Sequence, residues 1–231
     1  AWPSRWMRLQ SPLQQRRPCP FPPQRRKARS GDSRFRSVFL QERLTCGRYA
    51  LYGPVSRLRE CFDAELEGFD FTPRYNAAPM QWLPVIRQRP GGARILHLLR
   101  WGLVPSWSKD ESIATKTINA RGESVADKPS FRTAFRRRRC IVPINGFYEW
   151  QTVAGGKQPF YIHPVGEEFF GLAGLWERWM RPAEGEELDT FTLITTTANA
   201  AIRPLHDRMP VILAPADYAA WLSAGTALDQ V

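Results

Sequence analysis

Four residues in this 231-residue chain can do chemistry together if the fold gathers them. Cys46, in "RLTCGRYA", is a thiol followed by a glycine and an arginine. Glu149, in "NGFYEW", is a carboxylate between two aromatic residues. His206, in "PLHDRMPV", is an imidazole with Asp207 directly after it, and Asn119 sits in "INARGES". An imidazole titrates near neutrality, so His206 is the best general acid–base candidate among the three histidines. His97 and His163 lie in alternating stretches and read as structural. Glu149 admits two readings. An alternating strand can turn it to solvent, or it points inward, where lost hydration raises its pKa and makes it a proton carrier. Asn76, before Ala-Ala-Pro, and Asn119 each read most simply as turn residues.

The elements that must position these groups are mixed. "PVSRLRECFDAEL" predicts a helix with Val55, Leu58, Phe62 and Leu66 on one face and Pro54 suited to its first turn. "WLPVIRQ" and "RILHLLRWGLVP" read as strands around a Pro-Gly-Gly turn. "PSFRTAFRRR" reads as a short helix opened by Pro129 and Ser130. "RCIVPINGFYEW" predicts two short strands broken at Pro143 to Gly146. "QPFYIHP", "EFFGLAGLWERW" and "DTFTLITTTAN" are further strands, and "PADYAAWLS" is a final helix with Pro215 near its start. No internal repeat and no linker interrupts the chain after residue 46. The expected class is therefore α+β: one domain with a strand-rich, partly closed sheet core flanked by short helices.

The net charge of +11 suggests a nucleic-acid binder until its distribution is read. Residues 1–43 hold eleven basic residues and two acids, a net of +9, whereas the remainder holds 22 and 20, a net of +2. Any nucleic-acid surface on the body must therefore be a local patch. Residues 1–45, rich in proline, glutamine and arginine, are expected to be a disordered basic extension. Three origins compete: an arm that touches nucleic acid, an organelle-targeting segment, or upstream sequence before a true start near Leu44 or Thr45. The third explains the composition most simply. The four cysteines (Cys19, Cys46, Cys61, Cys140) show no CxxC spacing, so neither a metal site nor a disulfide framework is expected. No apolar run approaches the ~20 residues of a spanning helix, and the beginning has no secretory signal. A reducing, cytoplasmic setting without membrane partners is the expectation.

"TCGRYA", "RYNAAP", "RWGLVPSWSKD", "INARGES", "NGFYEW" and "PLHDRMPV" occur in this order between Cys46 and about Leu222. On these segments the body resembles the SRAP family, the SOS-response-associated peptidases also called abasic-site processing proteins. The resemblance implies that the cysteine of "CGRY" acts as an N-terminal residue. Its α-amine would attack the aldehyde of an abasic deoxyribose in single-stranded DNA, and its thiol would close a thiazolidine ring. An α-amine has a pKa of about 7.7–8.0 against ~10.4 for lysine, so more of it is nucleophilic at pH 7. Both nucleophiles stand on adjacent carbons, so ring closure is intramolecular. An internal cysteine cannot do this, because its nitrogen is an amide.

The resemblance also implies roles for other positions. Asn119 would orient the amine or the opened sugar. Glu149 would move protons during imine formation, and His206 would promote sugar opening. Arg48, Arg121 and Arg208 would hold flanking phosphates through forked guanidinium contacts. Asn76 and Pro79 would line the strand's path, and Trp101 and Trp107 would stack on bases or wedge beside the lesion; ordinary core packing is the competing reading for both, with equal weight for Trp101. The tetra-arginine run Arg136–Arg139 reads as a solvated helix end. No cofactor is implied, a monomer is expected, and the bound protein would lie with the nucleoid. The chain departs from the family in carrying Thr45 where the initiator methionine is expected, and in ending soon after the "DYAAWL" helix. Two other functions stay open: a thiol peptidase cutting at the Thr45–Cys46 bond, to which the resemblance adds a lyase-like activity, and a non-covalent binder of single strands.

Overall fold

The computed structural model describes residues 7–10, 46–166, 168–182 and 185–223. The expected disorder of residues 1–45 therefore lies outside the described residues, except for β1 (Met7–Gln10). The expected shortness of the C-terminus likewise falls on residues 224–231, outside them. After Cys46 come β2 (Tyr49–Leu51), α1 (Val55–Phe62), β3 (Ala64–Leu66), β4 (Arg74–Ala77), β5 (Trp82–Gln88) and β6 (Arg94–Trp101). Then follow β7 (Asn119–Arg121), α2 (Arg132–Arg137), β8 (Arg139–Ile144), β9 (Gly146–Val153) and β10 (Gly156–Pro164). The chain finishes with β11 (Phe170–Met180), β12 (Glu187–Thr197), β13 (Arg208–Pro210), β14 (Ile212–Leu213) and α3 (Tyr218–Leu222).

Two sheets hold these strands. One has the order β1-β10-β9-β2-β4. The other runs β13-β12-β11-β8-β5-β6-β3, and β12 also pairs with β6. That last pairing is parallel, through Thr190 with Arg100 and Phe191 with Trp101. It closes β12, β11, β8, β5 and β6 into a five-stranded ring. A closed ring removes two sheet edges and encloses the inward side chains. The strand-rich, partly closed core expected from the sequence is thus present.

The inward residues are those that the alternating patterns mark. Leu83, Val85, Leu99, Val142, Leu172, Phe191 and Leu193 share this face by register and are all buried. Trp101 lies among them, stacked 6.1 Å from Phe191 and tilted against Tyr49 at 5.2 Å. Its indole N–H donates to the Ile118 carbonyl at 2.9 Å, which satisfies the one polar atom of a buried ring. Gly102 ends β6 at φ +124°, a conformation side chains resist, and a Cβ there would strike the Ala114 carbonyl.

Asn76 and Asn119, expected in turns, lie instead in strands β4 and β7, and the local expectations differ from the structure in three further places. The first helix stops at Phe62, because Asp63 turns left-handed at φ +48° and caps it, so Leu66 belongs to β3. The second helix starts at Arg132, after a turn through Lys128 and Phe131. The break in "RCIVPINGFYEW" is Asn145 alone, with Pro143 kept inside β8. Asn145 works as a junction there: its side chain accepts from the Tyr52 N–H and donates to the Glu168 carbonyl, both at 2.6 Å.

Candidate active site

The two sheets meet beside Cys46. Along β9 the side chains alternate: Phe147 and Glu149 are buried, while Tyr148 and Trp150 turn toward the other face. Phe147 pairs with Tyr49, and the Tyr148 N–H donates to the Arg48 carbonyl at 2.9 Å. This register lays the lead-in to β2 along β9. It brings the backbone nitrogen of Cys46 to 2.7 Å from Glu149 Oε1, with the N–H donating. Cys46 is 0% exposed and Glu149 2%. Of the two readings of Glu149, the inward one holds.

Burial dominates the electrostatics. It pushes the Glu149 carboxyl up to about 7, opposed by the Cys46 N–H and reinforced by the charge of Asp207. Burial, with Glu149 beside it, also raises the Cys46 thiol well above its usual range, so the sulfur rests as a thiol. Among the described residues, Cys46 is one of three non-glycine residues with positive φ, at +48°.

Next to Cys46 lies an open cleft of about 470 Å³, lined by Gly47, Arg48, Asn76, Pro79, Ile118 and Trp150. Arg48 Nη1 donates to Asn76 Oδ1 at 3.3 Å. Three expected residues (Arg48, Asn76 and Pro79) thus share one wall. Gly47, Ile118 and Trp150 are lining residues that sequence reasoning missed. The alternation of β9 contains the signal for Trp150: once Glu149 turns inward, its neighbour must turn outward.

Asn119 and Arg121 stand on β7, directly after Ile118, in parallel register with Leu193 and Thr195 of β12. Arg208 begins β13, on the opposite side of β12, paired with Thr197. Its guanidinium is already engaged. Both terminal nitrogens grip the carboxylate of Glu123, and Nη2 also donates to the Thr195 carbonyl at 2.7 Å. The pair holds the Glu123 carboxyl below its usual range. Glu123 is a further residue that sequence reasoning missed, although it lies in "INARGES".

His206 is largely buried, its side chain 15% exposed. Its Nδ1 accepts from the Arg208 backbone N–H at 3.0 Å and lies 3.0 Å from Asp207 Oδ1. A neutral ring satisfies the first contact and carries its proton on Nε2. A charged ring satisfies the second. The loop bearing it is tied to β9 by Gln151, whose side chain donates to the Pro204 carbonyl at 3.3 Å.

Trp101 requires a correction. The resemblance set it against DNA, but it is 0% exposed and packed between Tyr49 and Phe191, so no face remains for a base. Its companion Trp107 is 59% exposed, with its indole N–H 3.4 Å from the Pro129 carbonyl. No group of three or more metal-ligating side chains occurs among the described residues. No helix among them is long and apolar enough to cross a membrane.

Comparison with known proteins places this arrangement. Residues 45–230 match the family model for SOS response associated peptidases (SRAP). The chain belongs to the SRAP family. The SRAP relative YoqW of Bacillus subtilis, an abasic site processing protein, is 41% identical over 181 residues, covering 77% of this chain and 80% of that one. The abasic site processing protein HMCES of Gallus gallus is 34% identical over 208 residues, covering 73% of this chain and 62% of its own. A solved structure from Bacteroides thetaiotaomicron superposes with a TM-score of 0.71 at 28% identity, over 79% of this chain and 83% of that chain. One from Bordetella bronchiseptica gives 0.69 at 29%, over 78% and 89%. The SRAP match begins one residue before Cys46, where the described body also begins.

Proposed function

We propose that this protein senses abasic sites in single-stranded DNA and, once Cys46 is the first residue, links to them covalently. The observation that carries the reading is the 2.7 Å contact between the Cys46 nitrogen and Glu149. A carboxyl that titrates near 7 beside a group that would become an α-amine of about 7.7–8.0 makes a matched proton-exchanging pair.

In this reading, His206 promotes opening of the deoxyribose to its aldehyde. The neutral amine adds to the aldehyde carbon, and Glu149 protonates the carbinolamine hydroxyl, which leaves as water. The imine carbon then accepts the Cys46 sulfur. The thiol proton passes to the carboxylate, and a thiazolidine ring results with net loss of one water. Asn119 orients the amine or the opened sugar. Arg48, Arg121 and Arg208 neutralise flanking phosphates, and Asn76 and Pro79 guide the strand. The abasic site processing relatives support the substrate class. The protein would act as a monomer in the cytoplasm, at the nucleoid when engaged.

A second reading shares the same atoms. Glu149 Oε1 stands on the nitrogen of the Thr45–Cys46 bond. The Cys46 sulfur would add to the Thr45 carbonyl carbon and pass its proton to Glu149. Glu149 would return a proton to the departing nitrogen, and water would hydrolyse the thioester. The products are a Thr45 carboxylate and a free Cys46 amine, so peptidase action prepares the crosslinking form.

The test is a protein beginning at Cys46, incubated with a labelled oligonucleotide holding one abasic site. A heat-stable conjugate on a denaturing gel is expected, absent with Cys46→Ala and with an intact strand. No conjugate from the trimmed protein would overturn the reading.

A further inference from the structure

The outer face of the β1-β10-β9-β2-β4 sheet carries a run of aromatic rings that the chemistry above leaves unused. Trp150, which lines the cleft, lies 6.5 Å from Tyr148 between ring centroids. Tyr161 of β10 is in direct register with Tyr148, with 5.0 Å between the rings, and stacks 5.4 Å from His163. In the other direction, the Tyr148 hydroxyl donates to the Tyr75 carbonyl at 2.9 Å, and Tyr75 stacks on Tyr52 at 5.0 Å. The arrangement depends on Gly146, where any Cβ would collide with the Tyr161 ring.

Burial does not explain this run. Tyr75 is 57% exposed, and Tyr52, Tyr148, Trp150, Tyr161 and His163 each keep part of their surface open. Arginines stand at its rim: Arg48 lines the cleft with Trp150, and Arg74 precedes Tyr75 in β4. Arg48 and Arg74 meet no carboxylate among the described residues, whereas Arg57, Arg59, Arg87, Arg89, Arg100 and Arg178 all do. Rings flanked by uncompensated arginines suit a polyanion with flat apolar faces. A cationic rim does not suit a plain apolar protein segment.

We propose that this face is a stacking platform for the undamaged single-stranded nucleotides on one side of the lesion. The strand leaves the cleft past Trp150 and lays successive bases on Tyr148, Tyr75 and Tyr161, with Arg48 and Arg74 facing its phosphates. The proposal rests on the reading that the cleft takes the abasic nucleotide, and it assigns the direction of the strand beyond it. It also predicts a length preference that the Cys46 chemistry does not require.

The test measures binding of the full chain to fluorescein-labelled oligonucleotides carrying one tetrahydrofuran abasic analogue, which cannot be crosslinked. The flank is lengthened by up to six thymidines on the 5′ side alone or the 3′ side alone. Affinity is expected to rise with length on one side only. Tyr75→Ala should remove about fivefold or more of that gain, and Tyr75→Phe should retain it. Tyr75 is mostly exposed, so its truncation leaves the fold intact. Equal gains on both sides, or a gain untouched by Tyr75→Ala, would overturn the platform. So would self-association in light scattering that disappears with Tyr75→Ala while DNA binding does not change. If the wild-type chain binds the short-flanked analogue but gains nothing with length, the platform alone falls. If it binds no analogue at any length, the cleft reading falls with it.

Discussion

Glu149 Oε1 accepts a hydrogen bond from the nitrogen of Cys46 across 103 residues of sequence, with both residues buried. The contact keeps a carboxyl in a place where ionisation is costly. Its folded pKa of about 7 lies above the ordinary value near 4.3, so the folded state holds this proton more tightly than the unfolded state. The stability it contributes is complete below pH ~4.3 and is lost as pH rises through 7, at roughly 1.4 kcal/mol per pH unit at most. Urea midpoints of wild type and Glu149→Gln, followed from pH 4.5 to 8, should diverge, the wild type losing stability over that range faster than the variant. Parallel curves would contradict the assignment.

The thiols should react in order of exposure. Cys61 is exposed, while Cys46 and Cys140 are buried with their thiols pushed up. In a Cys19→Ser background, iodoacetamide at pH 7.5 should label Cys61 within minutes and spare the other two until denaturant is added. Peptide mass mapping reads the result.

Arg208 is held by Glu123 and by the Thr195 carbonyl. Replacing Glu123 by Gln removes the competing charge but keeps the carbonyl contact. Single-strand affinity at low salt should rise several-fold, and the slope of log affinity against log salt should steepen by about one. An unchanged slope would mean that Arg208 meets no phosphate.

The two tryptophans flanking "GLVPS" should part company. Trp101→Ala should cost about 3–5 kcal/mol, since it empties a packed site and removes one of the two hydrogen bonds to the Ile118 carbonyl. Trp107→Ala should shift stability by no more than about 0.5 kcal/mol, as surface changes do, while weakening DNA binding. Thermal melts and anisotropy titrations separate the effects.

These tryptophans also show where sequence legibility ends. Both are aromatic, both border the same turn, and nothing local distinguishes them. Register decides: Trp101 opposes Phe191 across the parallel seam of the ring, a contact between residues 90 positions apart. The longer strands were readable because alternation and turn residues are local signals, whereas the two- to four-residue strands β2, β3, β4, β7, β13 and β14 are too short to show a period. The pairings of β12 with β6 and β7 were not, because they depend on distant chain segments. Cys46, Glu149, His206 and Asn119 were legible as types in motifs. Glu123 was not, because its role arises only when β13 brings Arg208 beside it.

The left-handed backbone of Cys46 has one last implication. A φ of +48° at a residue with a side chain costs roughly 1–2 kcal/mol, because its Cβ crowds the neighbouring carbonyl oxygens. That angle exists only while a carbonyl carbon is attached to the nitrogen. Severing the chain ahead of the cysteine abolishes the torsion itself, so the tension it stores has nowhere to remain. In the proposed scheme the intact polypeptide would be loaded like a drawn catch at that bond, and a liberated terminus would carry no such strain to pull it back.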